Sequence, residues 1–304
     1  PQESKPSEGS SSPPQPGGES SPSEQPSEPS EAERTPGRDE VEQAKRELEK
    51  AIEELKRKRL DDASEHQDDA IAKLQQAKEK LEEILRQLRE EEQELLLAGL
   101  EARFQKMLAQ QLIVYEATTG LAATPRNEWG SRHFGRAREL ANQEDEIAVE
   151  AARALSLLRE EGSSVAFPEA LEQLQQDMQT VARRLAQPDV GELTQAIEQD
   201  IIESLQELIE ALQREMEKKG DQQQNSQQNG QGQPPEFALV DKLAELKMLR
   251  SLQMRVNRRT RRLGNLAGED PTQDAEIARQ LQELSDRQAR IQSATYDLSI
   301  GRNR

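Results

Sequence analysis

The sequence predicts an all-α fold: a long coiled-coil-forming helix, shorter antiparallel helices, a helical hairpin near the C-terminal end and a disordered N-terminal tail. Three observations carry this. Apolar residues recur at alternating spacings of three and four along most of the chain, the repeat of helices with one buried face rather than the period of two expected of strands. Aromatic residues make up 2% of the 304 positions against 33% charged, so burial has to come from Leu, Ile, Ala and Met lines along helices, and thin seams rather than a thick globule are expected. Stretches rich in Pro, Gly, Gln and Asn interrupt the periodic segments and divide them.

Residues 1–38 alternate Pro, Ser, Glu, Gln and Gly with almost no apolar side chain. Such a composition cannot bury enough surface to offset chain entropy, and a disordered tether is expected. The chain opens at Pro1 without an initiator Met, which leaves room for an upstream export signal removed by processing.

The strongest periodic signal lies in a long helix expected over 39–119. Leu60, Ala63, Gln67, Ala70, Leu74, Ala77, Leu81, Ile84 and Leu88 alternate by three and four, the pattern of a coiled-coil seam. Leu48, Ile52 and Leu55 extend it upstream, and Leu95, Leu100, Phe104, Leu108, Val114 and Tyr115 extend it downstream with a phase shift near Gly99. Unbroken, the helix would be about 120 Å long. One seam position is filled by Ala63, Ala70 and Ala77, which admit a close backbone, so a tight antiparallel partner is the natural solution. Gln67 reads either as a register-setting polar residue in the seam or as an ordinary surface glutamine.

The helical region 120–218 begins with a turn around Thr124, Pro125, Asn127 and Gly130, where the only tryptophan, Trp129, is expected to plug the helical corner, a ligand-contacting pair with Phe134 being the alternative. Helices follow at about 132–161, 168–187 and 190–218. The first closes on Gly162, and the last is opened by Asp189 and Glu192 as a capping box and closed by Gly220. Residues 219–236 are Gln, Asn and Gly-rich and read as a flexible linker. Beyond them, 237–300 is expected to form a separate hairpin. Its first helix carries Leu239, Leu243, Leu246 and Leu249; its second is capped by Asp270, Pro271 and Gln273 and carries Ile277, Leu281, Leu284, Gln288, Ile291, Thr295 and Leu298.

No chemistry-bearing motif emerges. Cys is absent from the sequence, which excludes disulfides, thiolate catalysis and Cys-ligated metals. The two histidines, His66 and His133, lack a Glu three residues upstream, so the Glu-x-x-His units of di-iron bundles are missing. His66 sits in a charged run and is expected on a solvated face. Phosphate-binding and nucleophile-elbow motifs are missing too. Hence no catalytic, cofactor or metal residues are expected, and no apolar run approaches the roughly 20 residues of a membrane span.

The net charge of −18 disfavours nucleic acid as a partner. One local exception is Arg250, Arg255, Arg258, Arg259, Arg261 and Arg262, a run with no acid among them. These arginines either clamp acidic faces of neighbouring helices or contact an anionic partner.

The segments QDDAIAKLQQAKEKLEEILRQLREEE (67–92), ARFQKMLAQQLIVYEATTGL (102–121) and LAELKMLRSLQMRVNRRT (243–260) resemble uncharacterised exported coiled-coil proteins of bacteria. That resemblance implies a periplasmic or exported helical protein, with a cytoplasmic location as the alternative, and no transferable activity. Taken together, the residues predict a non-enzymatic scaffold or adaptor acting through protein association. Its interaction seam would be Leu60, Ala63, Ala70, Leu74, Ala77, Leu81, Ile84 and Leu88, pairing with partner helices or with itself. An anionic-surface or nucleic-acid binding module using helix 250–262, and a holdase-type chaperone, are the alternatives.

Overall fold

The computed structural model describes residues 35–226, 238–266 and 274–301. Almost all of the expected tail, the expected linker from residue 227 onward and the caps Asp270, Pro271 and Gln273 lie outside the described residues. Among the described residues there are helices and no strands: α1 Arg38–Lys56, α2 Leu60–Ala122, a short 3-10 turn Arg126–Glu128, α3 Ser131–Glu161, α4 Ala166–Ala186, α5 Glu192–Ser226, α6 Lys242–Leu266 and α7 Asp274–Ser299. No described helix is long and apolar enough to cross a membrane. Two compact units are present, one ending at Arg86 and one running from Gln87.

In the first unit the helix expected over 39–119 is broken. Arg57, Lys58 and Arg59 turn the chain, their N–H groups bonding to the carbonyls of Glu53, Leu55 and Glu54, with Lys58 left-handed at φ 60°. A Lys in that conformation costs about 1–2 kcal/mol, and neither Gly nor Pro marks the position. Closure of an antiparallel hairpin offsets the cost. The tight partner demanded by the alanine line is α1: Ala44 and Ala51 of α1 and Ala63, Ala70 and Ala77 of α2 are all buried. The pairing runs antiparallel, because His66 Nδ1 lies 2.9 Å from Glu47 Oε2 near the turn while Lys80 reaches Glu40 further out. Gly37, at φ 80°, closes the open end where an added Cβ would lie 3.3 Å from the Ala77 carbonyl.

The second unit has a thick core, not the thin seams expected from composition. Helix α4 is its axis. Buried residues occupy more than one side of it, including Phe167, Leu171, Leu174, Met178, Val181 and Leu185 together with the polar Gln173, Asp177 and Thr180. It packs against α3, α5, α6 and α7. Aliphatic and Ala contacts therefore build a multilayer interior with few rings, Phe104 and Phe167 being the fully buried aromatics among the described residues.

The C-terminal helices belong to this core and are not a separate hairpin. Helix α4 has no cap of its own at Val165; Glu245 of α6 supplies it, accepting from the backbone N–H of Val165 (3.2 Å) and Ala166 (2.5 Å) and from the Ser164 hydroxyl. Burial pushes the Glu245 carboxyl up, against these donors. Leu239 is fully buried ahead of α6, whereas Leu243 and Leu246 face out, so Met248, Leu249 and Leu252 carry the true stripe. On α7 the core position near 288 is taken by Arg287. Helix α5 also runs on through Gly220 to Ser226, and Asp189 folds back onto Arg184 at 2.5 Å instead of capping a helix start.

At the junction of α4, α5, α6 and α7 lies a buried ion cluster. Both oxygens of Asp177 are bonded by Arg259 (2.7 and 3.1 Å) and by Arg287 (3.0 and 2.6 Å), and Arg259 also reaches Asp200 at 3.1 Å. Burial would raise the Asp177 carboxyl, but the two guanidiniums outweigh it and hold the group well below the carboxylate range; Asp177 and Asp200 likewise outweigh burial and raise Arg259.

Three outcomes follow for stability. Asp177→Ala leaves two buried guanidiniums short of their shared acid and should cost about 3–5 kcal/mol in denaturant unfolding. Because the Asp177 pKa is depressed, its contribution is complete above the unfolded value near 3.8 and is lost as pH falls below that; in Asp177→Asn this part of the acid sensitivity should vanish. In the hairpin, Ala70→Leu should loosen the helix pair by about 1–3 kcal/mol through overpacking, read as faster amide exchange across α1.

Candidate functional site

With the alanines turned inward, the larger apolar residues of the hairpin are left outside. On each helix a Leu follows each of several alanines by four residues: Ala44 to Leu48, Ala51 to Leu55, Ala70 to Leu74 and Ala77 to Leu81. That step of four places each Leu on the same rotational side of its alanine line. An antiparallel pair is related by a two-fold axis perpendicular to its plane, so both Leu lines emerge on one face. Ile52, Ile71 and Leu85 continue around the same side, and Val41 and Leu60 extend the ends. Each of these nine side chains is at least 43% exposed.

The expected seam is thereby divided. Ala63, Ala70 and Ala77 are consumed inside the hairpin, while Leu60, Leu74 and Leu81 stand free on its face. Ile84 is half-buried, and Leu88, exposed, lies past the end of this unit. Exposed Leu on a heptad face offers holes and knobs to another helix and nothing to a small polar substrate.

The arginine run is placed differently from a partner-binding strip. Arg259 is buried in the ion cluster; Arg255 is buried against Glu207 (2.9 Å), Arg258 pairs with Glu203 (2.5 Å), and Arg262 lies 3.8 Å from Asp200. Arg250 and Arg261 face solvent. The clamping of acidic neighbours is what the geometry shows for these four, with the acids of α4 and α5 as the countercharges.

His66 is not on the solvated face expected for it, since its ring is engaged with Glu47. Together with Asp69 these two place ligand atoms within 4.8 Å of one another, close enough for a cation. Glu47 Oε1 is already taken by Lys50 at 2.7 Å, so the charge there is compensated by the chain itself. His133 accepts the Gly130 N–H at 3.1 Å and stacks on Trp129 with centroids 5.8 Å apart. Trp129 in turn donates to the Thr124 carbonyl and lies under Arg126, the corner plug expected of it.

Sequence reading missed a second polar group in the core of the second unit. Glu144 of α3 accepts from Gln111 of α2 at 3.0 Å, and Glu198 of α5 accepts from Thr118 of α2 at 2.8 Å; all four side chains are buried. The remaining oxygens, Gln111 Oε1, Glu144 Oε1 and Glu198 Oε2, have no hydrogen-bond partner. All three are acceptors, so a proton on each carboxyl turns an orphan acceptor into a donor. Burial, reinforced by the Glu198 charge, pushes Glu144 well above the ordinary range, and burial pushes Glu198 up to about 7 despite Thr118. On an acidic chain these two Glu read as surface; their helical phase was the available signal, since Glu144 falls between Leu140 and Ile147, and Glu198 between Thr194 and Ile201.

No protein-family model, curated protein or solved structure matches the chain.

The buried carboxyls give a pH dependence opposite in sign to that of Asp177. A raised acid contributes stability fully below its unfolded pKa of about 4.5, and that contribution is lost as pH rises towards 7. At about 1.4 kcal/mol per pKa unit the Glu198 share is about 3 kcal/mol. Glu198→Gln should flatten denaturant stability over this window by that amount; an unchanged slope would show that the carboxyl does not carry a proton in the fold.

Proposed function

We propose that the protein is a non-enzymatic scaffold or adaptor that acts by coiled-coil association, and that the leucine face of the α1–α2 hairpin is the surface it uses. The observation that carries this is the set of nine large apolar side chains exposed on one side of a two-helix unit. Nine such residues about half exposed come to roughly 700 Å² of apolar surface, beyond what monomers ordinarily leave in water and close to one partner's share of a stable interface. The Leu lines repeat every seven residues, which fits a helix or helix pair laid along the hairpin, most simply the same face of a second copy. In the second unit a large set of apolar residues from α3 to α7 closes into one core, with Val149, Leu243, Leu246, Met254 and Leu281 left exposed around it.

Leu74 and Leu81 are exposed and outside the alanine contact, so Leu74→Glu with Leu81→Glu should leave helical content unchanged. Sedimentation equilibrium of the full chain should show association that depends on concentration and is lost in this variant, with a drop of at least tenfold in association constant. A chain that stays monomeric at all concentrations, or a variant that associates as the parent does, removes the self-pairing and the assigned face respectively.

A further inference from the structure

At one end of the second unit, where α4 ends, α5 begins and α6 and α7 pass, there is an open cleft of about 1080 Å³. Guanidinium groups enter it from three helices: Arg183 and Arg184 from the last turn of α4, Arg262 from α6 and Arg279 from α7. The first turn of α5 also opens into it through Gly191, Glu192 and Leu193, adding the positive end of a helix dipole. For a chain of net charge −18 this is a local reversal of sign.

The lining carries four arginines against two carboxylates, and two of the arginines are already paired, Arg279 with Glu283 at 4.0 Å and Arg184 with Asp189. Asp189 is spent on its own turn, with Oδ1 taking the Gly191 N–H at 3.1 Å and Oδ2 taking Arg184 at 2.5 Å. Glu192 is the other lining carboxylate. The acid nearest Arg262 is Asp200, at 3.8 Å, and that carboxylate is already hydrogen-bonded by Arg259 at 3.1 Å. The Nη1 of Arg262 is buried with no hydrogen-bond partner. Arg183 donates to the neutral hydroxyl of Thr180 at 2.8 Å. Arg183, bonded only to a neutral hydroxyl, and Arg262, 35% exposed and facing through its buried Nη1 a carboxylate that it shares with Arg259, are thus the two guanidiniums least matched by acids at the cleft.

We propose that this cleft binds a soluble, phosphate-bearing small molecule of about nucleotide size, with Arg183 and Arg262 holding the phosphate oxygens. Guanidinium forks match phosphate oxygens in pairs. Leu193 and Ala196 add an apolar patch to the lining against which the rest of such a ligand can lie. The volume suits a ligand at the upper end of the usual small-molecule range of about 300–1,000 Å³. This site is independent of the hairpin face and of the scaffold reading.

Calorimetric titration of the full chain with inorganic pyrophosphate and with ADP tests it. Saturable binding with one site per chain is expected, weakened about tenfold or more by Arg183→Gln and by Arg262→Gln, since each removes charged hydrogen bonds. Arg183 is exposed, so its variant keeps the fold even if the Arg262 variant does not. Arg250→Gln with Arg261→Gln, exposed on α6 but outside the cleft lining, should bind as the parent does. No saturable binding of either probe, or equal weakening in the Arg250 and Arg261 variant, would overturn the site. Binding to phosphatidic acid vesicles without binding of pyrophosphate or ADP would move the chemistry to a lipid headgroup and overturn the soluble ligand.

Discussion

Asp177 sits where four helices meet, and its two oxygens are shared between guanidiniums from α6 and α7. A carboxylate taken out of water at such a point is tolerable only if its lone pairs are filled and its charge is matched. Both conditions hold only when α4, α6 and α7 stand in one register, because a shift of one residue along any of them turns the charged group out of the core. Asp200 extends the same requirement to α5. Apolar contacts supply most of the favourable burial in this unit, but they are tolerant of small slides. The ion cluster is not, and it selects one arrangement among those that the aliphatic lines would accept.

The same logic explains why the C-terminal helices dock. Glu245 completes the N-terminus of α4, Arg259 and Arg287 neutralise it at mid-helix, and Arg290 reaches Glu169 at 3.0 Å and Gln176 at 2.9 Å. Taking away α6 and α7 would leave α4 with only the Ser164 hydroxyl at its N-terminus and a buried, unmatched acid. The aromatic-poor composition is compatible with a thick core because alanines let the helices approach closely, and closely spaced Leu and Ile lines then interlock without rings.

The two units use their apolar residues to different ends. In the second, the lines of α3 to α7 close on one another. Among the described residues of the first there are two helices, and two helices can bury one line each. The alanines take that line because small side chains allow the closest approach, and the leucines beside them remain in water. The association proposed above rests on that face, while the arginine cleft belongs to the unit with the closed core.

The helical class, the approximate ends of α3 and α4, the corner at Trp129 and the close-approach role of Ala63, Ala70 and Ala77 could all be read from spacing and turn chemistry, because these are local properties of the chain. Spacing defines which side of a helix is apolar but not which other helix covers it. The turn at Lys58 carries no Gly or Pro and exists because α1 supplies the alanine partner. A run of arginines likewise does not state its countercharges, and Asp177, Asp200 and Glu207 come from distant segments that look like ordinary helix surface. Sequence alone therefore determined that the chain is built of helices with apolar faces. Only the tertiary structure decided which of those faces close on each other, which charges are buried together and which leucines are left exposed, since all three depend on contacts between residues far apart in the chain.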